Sequence, residues 1–534
     1  NNRAVSGALT ADGRAIVADD MHLGRRAPNI WFRARLRYAD PRAPRGRVDV
    51  AGLTLPGLPA VIVGSNGHVA WGFTNAYGDF ADWALVEPCA AAPADAGRAR
   101  DCGEITGHRE WNAVAGREPV ELRVRETRWG PVLAEQPDGR LLALRWVAHL
   151  PGSLQVSWAD MAHAGGLDAA LAIAARSAIP AQNLLLADRD GRIAWRLLAT
   201  LPQRGAECTP RQPQALATGG AGCAPWTIDP ARAPSLVDPS IGRLWTANNR
   251  VLDGEALAAV GDAGYAHGAR AAQIRDALMA RQRFDERALL QIQLDDRALF
   301  LARWWTLLQF EGKQAAGTAL GELAQAAADW EGRAAPDSVS YRLVRAWRLA
   351  VHERIADGLV APARAALGED FETPAFTQLE GVAWPLLERR PRHLLPRRFG
   401  SWQALLQDAA REVRNELAAA GPLQRRIWGE RNTAAICHPL AGALPGPIKR
   451  ALCMPAQPLP GDTAMPRVQG PAFGASQRMV VSPGHEADGI AHMPGGQSGH
   501  PLSPFWGAGH DDWVQGRASP FLPGEARYSM RLKP

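Results

Sequence analysis

Asn1-Asn2-Arg3-Ala4-Val5-Ser6-Gly7, then Thr10-Ala11-Asp12-Gly13, then Ala15-Ile16-Val17-Ala18-Asp19-Asp20-Met21-His22-Leu23-Gly24 is the stretch that decides the fold. Two short apolar runs joined by an Asp-Gly turn predict a β-hairpin. The second run ends in the polar cluster Asp19–Gly24, so a hairpin returns His22 to the side of the first residue. The sequence opens on this strand without an initiator Met, a charged leader or an apolar signal run. We expect an excised product of processing. A terminus placed on a central strand is expected to be used chemically: enzymes whose first residue is the nucleophile let its α-amino group act as the base, and a strand fixes both.

Working outward, residues 1–85 read as short strands separated by turns, and a second strand-rich stretch runs from Glu118 to Leu150. Gly166–Ala178 has helical spacing, and Leu184–Trp195 is a second Asp-Gly hairpin. After Tyr265 the periodicity changes. Residues 268–282, 285–310, 316–330, 338–357 and 402–420 read as helices, separated at Gly358–Pro362, Arg389–Pro396 and Pro439–Pro460. Strands resume at Met479-Val480-Val481. This order predicts an α+β fold, one αββα sandwich carrying a largely helical insertion. It divides into a strand-rich part with the cleft (1–265), a mostly helical part (266–425) and a return of strands and loops to the core (426–534).

The 534 residues allow a large core, and an apolar fraction of 46% with 21% charged residues is that of a globular chain. A net charge of +6, without a basic block or an aromatic-basic repeat, argues against nucleic acid as a partner. No run approaches the ~18 apolar residues of a membrane span. The 19 Trp residues are scattered, which favours core and cleft packing over a stacking platform. Six cysteines fall into three close pairs, Cys89 with Cys102, Cys208 with Cys223 and Cys437 with Cys453. Their spacing is too wide for ordinary metal sites. Local disulfides and an oxidising compartment, a bacterial periplasm, are the favoured reading; six buried thiols are the alternative.

Several motifs then resemble, in order, the β-chain of the penicillin acylase family. They are Asn1-Asn2, Asp20-Met21-His22-Leu23-Gly24, Leu55-Pro56-Gly57-Leu58-Pro59, Gly64-Ser65-Asn66-Gly67 and Trp71-Gly72-Phe73-Thr74-Asn75. Trp245-Thr246-Ala247-Asn248-Asn249-Arg250, Glu430-Arg431-Asn432-Thr433 and Gly495–Ser503 continue the series, so the likeness covers nearly the whole chain. The family comprises N-terminal-nucleophile amidohydrolases and includes the acyl-homoserine lactone acylases. The resemblance implies the αββα sandwich, a precursor cut into two chains, and a shorter α-subunit as partner. It also implies a nucleophilic Ser immediately before the Asn that matches Asn1. That residue is not in the sequence, and an Asn side chain cannot replace it.

By the same resemblance His22 positions the nucleophile's amine, the Asn75 backbone N–H and the Asn248 side-chain amide form the oxyanion hole, and Arg270 stays near Asn248. Leu23, Val63 and Leu184 are expected to line the acyl pocket. Aliphatic side chains there favour a long or aliphatic acyl group, hence N-acyl-homoserine lactones before penicillins. No cofactor is expected for catalysis. Some members hold a structural Ca²⁺, for which Asp79, Ala81, Asp82, Pro202 and Asp253 are the candidate ligands, an acidic solvated turn being the alternative. The rival reading from another class is a catalytically silent member that binds acyl ligands. Gly495–His500 places a Ser near a His, but adjacent turn residues rarely align for proton transfer, so a structural loop is expected. There is no H-E-x-x-H, P-loop or dinucleotide fingerprint.

Overall fold

The first and last parts of the chain meet in one sheet. The computed structural model describes residues 1–87, 105–178, 180–204, 208, 212–215, 226–261 and 264–533. Its five-stranded sheet has the order Arg243–Thr246, Asn2–Val5, Ile16–Asp19, Arg478–Val481, Ile490–His492. The opening hairpin is present, with Asn2 opposite Asp19 and Val5 opposite Ile16. Its connection is longer than a tight turn: Gly7–Leu9 form a short 3-10 helix, and the Thr10 hydroxyl donates to the Arg14 carbonyl at 2.8 Å to close the loop.

A seven-stranded sheet faces the first. Its order is Ser235–Val237, Ile193–Leu198, Gln182–Asp188, Val69–Asn75, Val61–Ser65, Arg47–Thr54, Phe32–Ala39. Apolar side chains of both sheets, among them Val17, Val63, Leu185 and Met479, share one buried core. The sheets approach closely at Gly72, where an added Cβ would lie 2.7 Å from the Asp19 Cβ. Only glycine permits that approach. Helices Ala269–Met279 and Glu286–Gln293 cover the outer face of the first sheet, and Leu167–Arg176 packs on the second. The layers are therefore αββα.

The helical block has its own core, beginning at Ala298. It differs from the expected pattern in three places. The run 285–310 divides into Glu286–Gln293 and Ala302–Lys313, because Asp295 turns the chain by accepting from the Arg297 N–H at 3.0 Å. Helix Val339–Leu367 continues through Gly358–Pro362. Pro362 removes one donor from a helix, whereas Gly358 gains close packing on the Pro396 ring. Leu379–Arg389 is an additional helix with Pro385 inside it, which obscured its periodicity.

The strands expected within 118–150 belong to a six-stranded sheet that also includes Ala81–Val86 and Thr106–Asn112. Cys437 and Cys453 form a disulfide with an S–S distance of 2.03 Å. Cys208 is disulfide-bonded as well, while Cys89, Cys102 and Cys223 lie outside the described residues. Among the described residues no helix is long and apolar enough to cross a membrane.

Candidate active site

The hairpin register gathers the site. The Asn1 nitrogen donates to the Asp20 carbonyl at 2.7 Å, and the Asp20 N–H donates to the Asn1 carbonyl at 2.8 Å. On the other side of the strand Asn2 lies opposite Thr246. Asn248 follows the end of strand Arg243–Thr246 by two residues. Asn248 leaves the strand with φ of 61°, a left-handed conformation that Asn tolerates better than most residues.

Arg270, at the start of its helix, bridges the strand end. Its Nη1 donates to Asn1 Oδ1 at 2.7 Å and its Nη2 donates to Asn248 Oδ1 at 3.0 Å. Those contacts fix which way the Asn248 amide points. Its Nδ2 donates to the Asn75 carbonyl at 3.0 Å, and an NH₂ has a second hydrogen to give. The strand register thus brings His22, Asn75, Asn248 and Arg270 together around Asn1, although 269 residues separate Asn1 from Arg270.

Charge in this buried site is unevenly distributed. Asp20 accepts from Asn1 Nδ2 at 2.9 Å, lies 2.9 Å from His22 Nε2, and pairs with Arg3. Burial alone would raise its pKa, but Arg3 and the His22 hydrogen bond hold the carboxyl well below the usual range. Burial pushes the His22 imidazole down to about 3, so it is neutral at pH 7 and its Nε2–H is committed to Asp20. Asp19 has no such guanidinium partner; burial raises its carboxyl to about 8. Sequence reasoning noticed the Asp19-Asp20 pair without assigning it a role and missed Arg3, Asn2 and Gln293. Asn2 Nδ2 donates to the Asn183 carbonyl at 2.9 Å, and Gln293 Nε2 donates to the Asp19 carbonyl at 3.0 Å. For Asn2 and Arg3 the signal was polar residues on a central strand, whereas Gln293 lies on helix Glu286–Gln293 and carried none.

The expected acyl-pocket residues do not share one surface. Leu184 is opposite Phe73 and Leu185 is opposite Gly72. Ser65 is opposite Ala70, so Val63, two residues before it, takes the Gly72 side. Val63 and Leu184 therefore point to opposite faces, and both are 0% exposed. Leu23 is partly buried on strand His22–Gly24. On the Leu184 side, Trp71 and Trp158 meet edge to face beside a cavity of about 250 Å³ that Val61, Tyr38 and His163 also line. That cavity lies on the sheet face turned away from Asp19, and its lining includes none of His22, Asn75, Asn248 and Arg270.

The candidate calcium ligands are only partly assembled. Asp79 and Asp82 meet, but Arg204 lies between their oxygens. Ala81 begins the strand Ala81–Val86, Pro202 pairs in a bridge with Ile228, and Asp253 is exposed ahead of helix Gly254–Val260. No group of three or more His, Cys, Asp or Glu suited to a metal occurs among the described residues. In the Gly495–His500 loop, Ser498 Oγ accepts from the His500 N–H at 3.1 Å and His500 Nδ1 accepts from the Leu502 N–H at 3.2 Å. Both side chains brace their own turn.

A family model described as penicillin amidase matches residues 1–528. The chain is 28% identical to the penicillin acylase 2 proenzyme of Pseudomonas sp. (strain SE83), over 98% of its own length and 66% of the relative's. It is 25% identical to the acyl-homoserine lactone acylase QuiP of Pseudomonas aeruginosa, over 98% of its length and 67% of the relative's. The chain thus spans about two thirds of these curated relatives. Its fold superposes on the thermostable penicillin G acylase from Alcaligenes faecalis with a TM-score of 0.67 at 17% identity, covering 100% of both chains.

Proposed function

For a chain that belongs to the penicillin amidase family, we propose hydrolysis of a linear amide through an acyl-enzyme on a Ser immediately before Asn1. The observation that supports this reading is Arg270, which joins Asn1 to Asn248 at the end of the first strand. In the mechanism, the Ser Oγ attacks the acyl carbonyl and passes its proton to its own α-amine. The Asn248 Nδ2–H and the Asn75 N–H stabilise the tetrahedral oxyanion. Collapse expels the amine, which takes the proton; water then releases the acid by the same route. Arg270 orients the Asn248 amide, and neutral His22, held on Asp20, orients the strand end rather than serving as the main base.

N-acyl-homoserine lactones are the proposed substrates, supported by the similarity to QuiP and by the aliphatic Leu23. A β-lactam side chain is the second reading, favoured by the 28% identical penicillin acylase. The proposed partner is an α-subunit from the same precursor. The Cys437–Cys453 bond supports a periplasmic location.

The test is N-terminal sequencing and intact mass of the β-chain from the processed enzyme, before and after incubation with acyl-homoserine lactones of increasing length and with phenylacetyl amides. A Ser ahead of Asn1 that gains an acyl mass is expected, with faster turnover of aliphatic chains. Preference for phenylacetyl would replace the first substrate by the second. A mature terminus at Asn1 would overturn the mechanism and leave an acyl-ligand binder.

A further inference from the structure

Asp79 and Asp82 flank the start of strand Ala81–Val86, and one guanidinium engages both. Arg204 Nε donates to Asp82 Oδ2 at 2.9 Å. Arg204 Nη2 donates to Asp82 Oδ1 at 2.9 Å and to the Asp79 carbonyl at 3.0 Å, and it lies 3.2 Å from Asp79 Oδ1. A Ca²⁺ ion at this corner would require several of these same oxygens at roughly 2.3–2.6 Å. A planar guanidinium instead meets a carboxylate with two parallel N–H donors, which is the geometry Arg204 presents to Asp82.

The surroundings complete a site for arginine. Arg145 is directly opposite Asp82 in the antiparallel pair and is buried. Its guanidinium lies 4.2 Å from the Trp226 ring centroid and 4.7 Å from that of Trp129. Arg204 lies 5.4 Å from the Trp226 centroid. Two carboxylates thus face two guanidinium groups, with an aromatic ring shared between the cations. A divalent ion added to this set would face no excess negative charge. Aromatic faces attract guanidinium and offer calcium no oxygen.

We infer that Arg204 is a built-in replacement for a structural calcium ion, tying the segment after Pro202 to the Asp79–Asp82 corner. That corner follows Asn75, the proposed oxyanion position, by only a few residues. Holding it with a side chain makes its geometry independent of calcium supply. The inference does not depend on the substrate or on the identity of the nucleophile.

The test measures metal content and thermal unfolding of the complete processed enzyme, in EDTA and in millimolar CaCl₂. Well under one calcium per molecule and the same Tm in both conditions are expected. The Arg204→Gln variant is expected to melt lower in EDTA and to recover part of the loss in CaCl₂, because its carboxylates then lack their cation. Stoichiometric calcium in the wild type, a Tm lowered by EDTA, or a variant as stable as the wild type would overturn the inference. Should the variant fail to accumulate, the wild-type measurements decide the matter alone.

Discussion

Asp19 in the sandwich and Glu380 in the helical block are both buried carboxylates, and the chain treats them in opposite ways. Glu380 is surrounded by donors: Arg303 pairs with it, Arg348 Nη2 donates at 2.8 Å, Trp304 Nε1 donates at 2.8 Å, and His352 Nε2 lies 2.9 Å away. Although burial opposes ionisation, those partners hold its carboxyl well below the usual range. Asp19 receives Gln477 but no guanidinium, and burial lifts it to about 8. One acid is a structural hub whose charge is fully compensated. The other has its carboxyl raised by burial at the end of strand Ile16–Asp19, next to Asp20, which takes Arg3. The difference separates a region built for stability from one that keeps charge close to Asn1.

The largest effect should come from breaking the hub. Glu380→Ala leaves Arg303 and Arg348 without their shared partner, and the loss should be ~3–5 kcal/mol, read from urea unfolding. The kcat of the remaining folded enzyme should be unchanged. An unmoved midpoint would erase the contrast between the two regions.

Next in size, Asn248→Ala should lower kcat by ~10²–10³ by removing the proposed side-chain oxyanion donor. Its stability loss should be confined to ~1–2 kcal/mol, the cost of a left-handed non-Asn residue. A fall in stability with kcat intact would make Asn248 structural and join the site to the hub in kind.

The pH dependence of stability sharpens the role of Asp19. A carboxyl raised to about 8 in the folded chain, against 3.8 as its ordinary value, gives stability that is complete below pH 4 and lost as pH rises through 8. Asp19→Asn cannot ionise. Its Tm relative to the wild type should therefore climb between pH 4 and pH 8, measured by thermal unfolding at several pH values. A flat difference would mean that Asp19 is already ionised, as Glu380 is.

Much of this was legible in one dimension because it depends on local periodicity. The Asp-Gly turn and alternating apolar residues identified the Asn1–Gly24 hairpin, and the change to helical spacing after Tyr265 marked the helical block. The ordered motifs that resemble the penicillin acylase family named His22, Asn75, Asn248 and Arg270, which the structure brings around Asn1. They did not name Arg3 or Gln293, whose partners are set by sheet register and helix docking rather than by neighbours in the chain.

What the amino-acid order determined by itself, then, was which segments are strands and helices and which polar residues could meet, since hairpins and amphipathic helices follow from neighbours a few residues apart. Tertiary structure alone decided where side chains point and which cation a carboxylate obtains. A single step of register sends Val63 and Leu184 to opposite faces, and Arg204, 122 residues from Asp82, donates to a carboxylate read from sequence as a candidate calcium ligand. Pairwise charge and face selection depend on three-dimensional distance, which spacing along the chain does not encode.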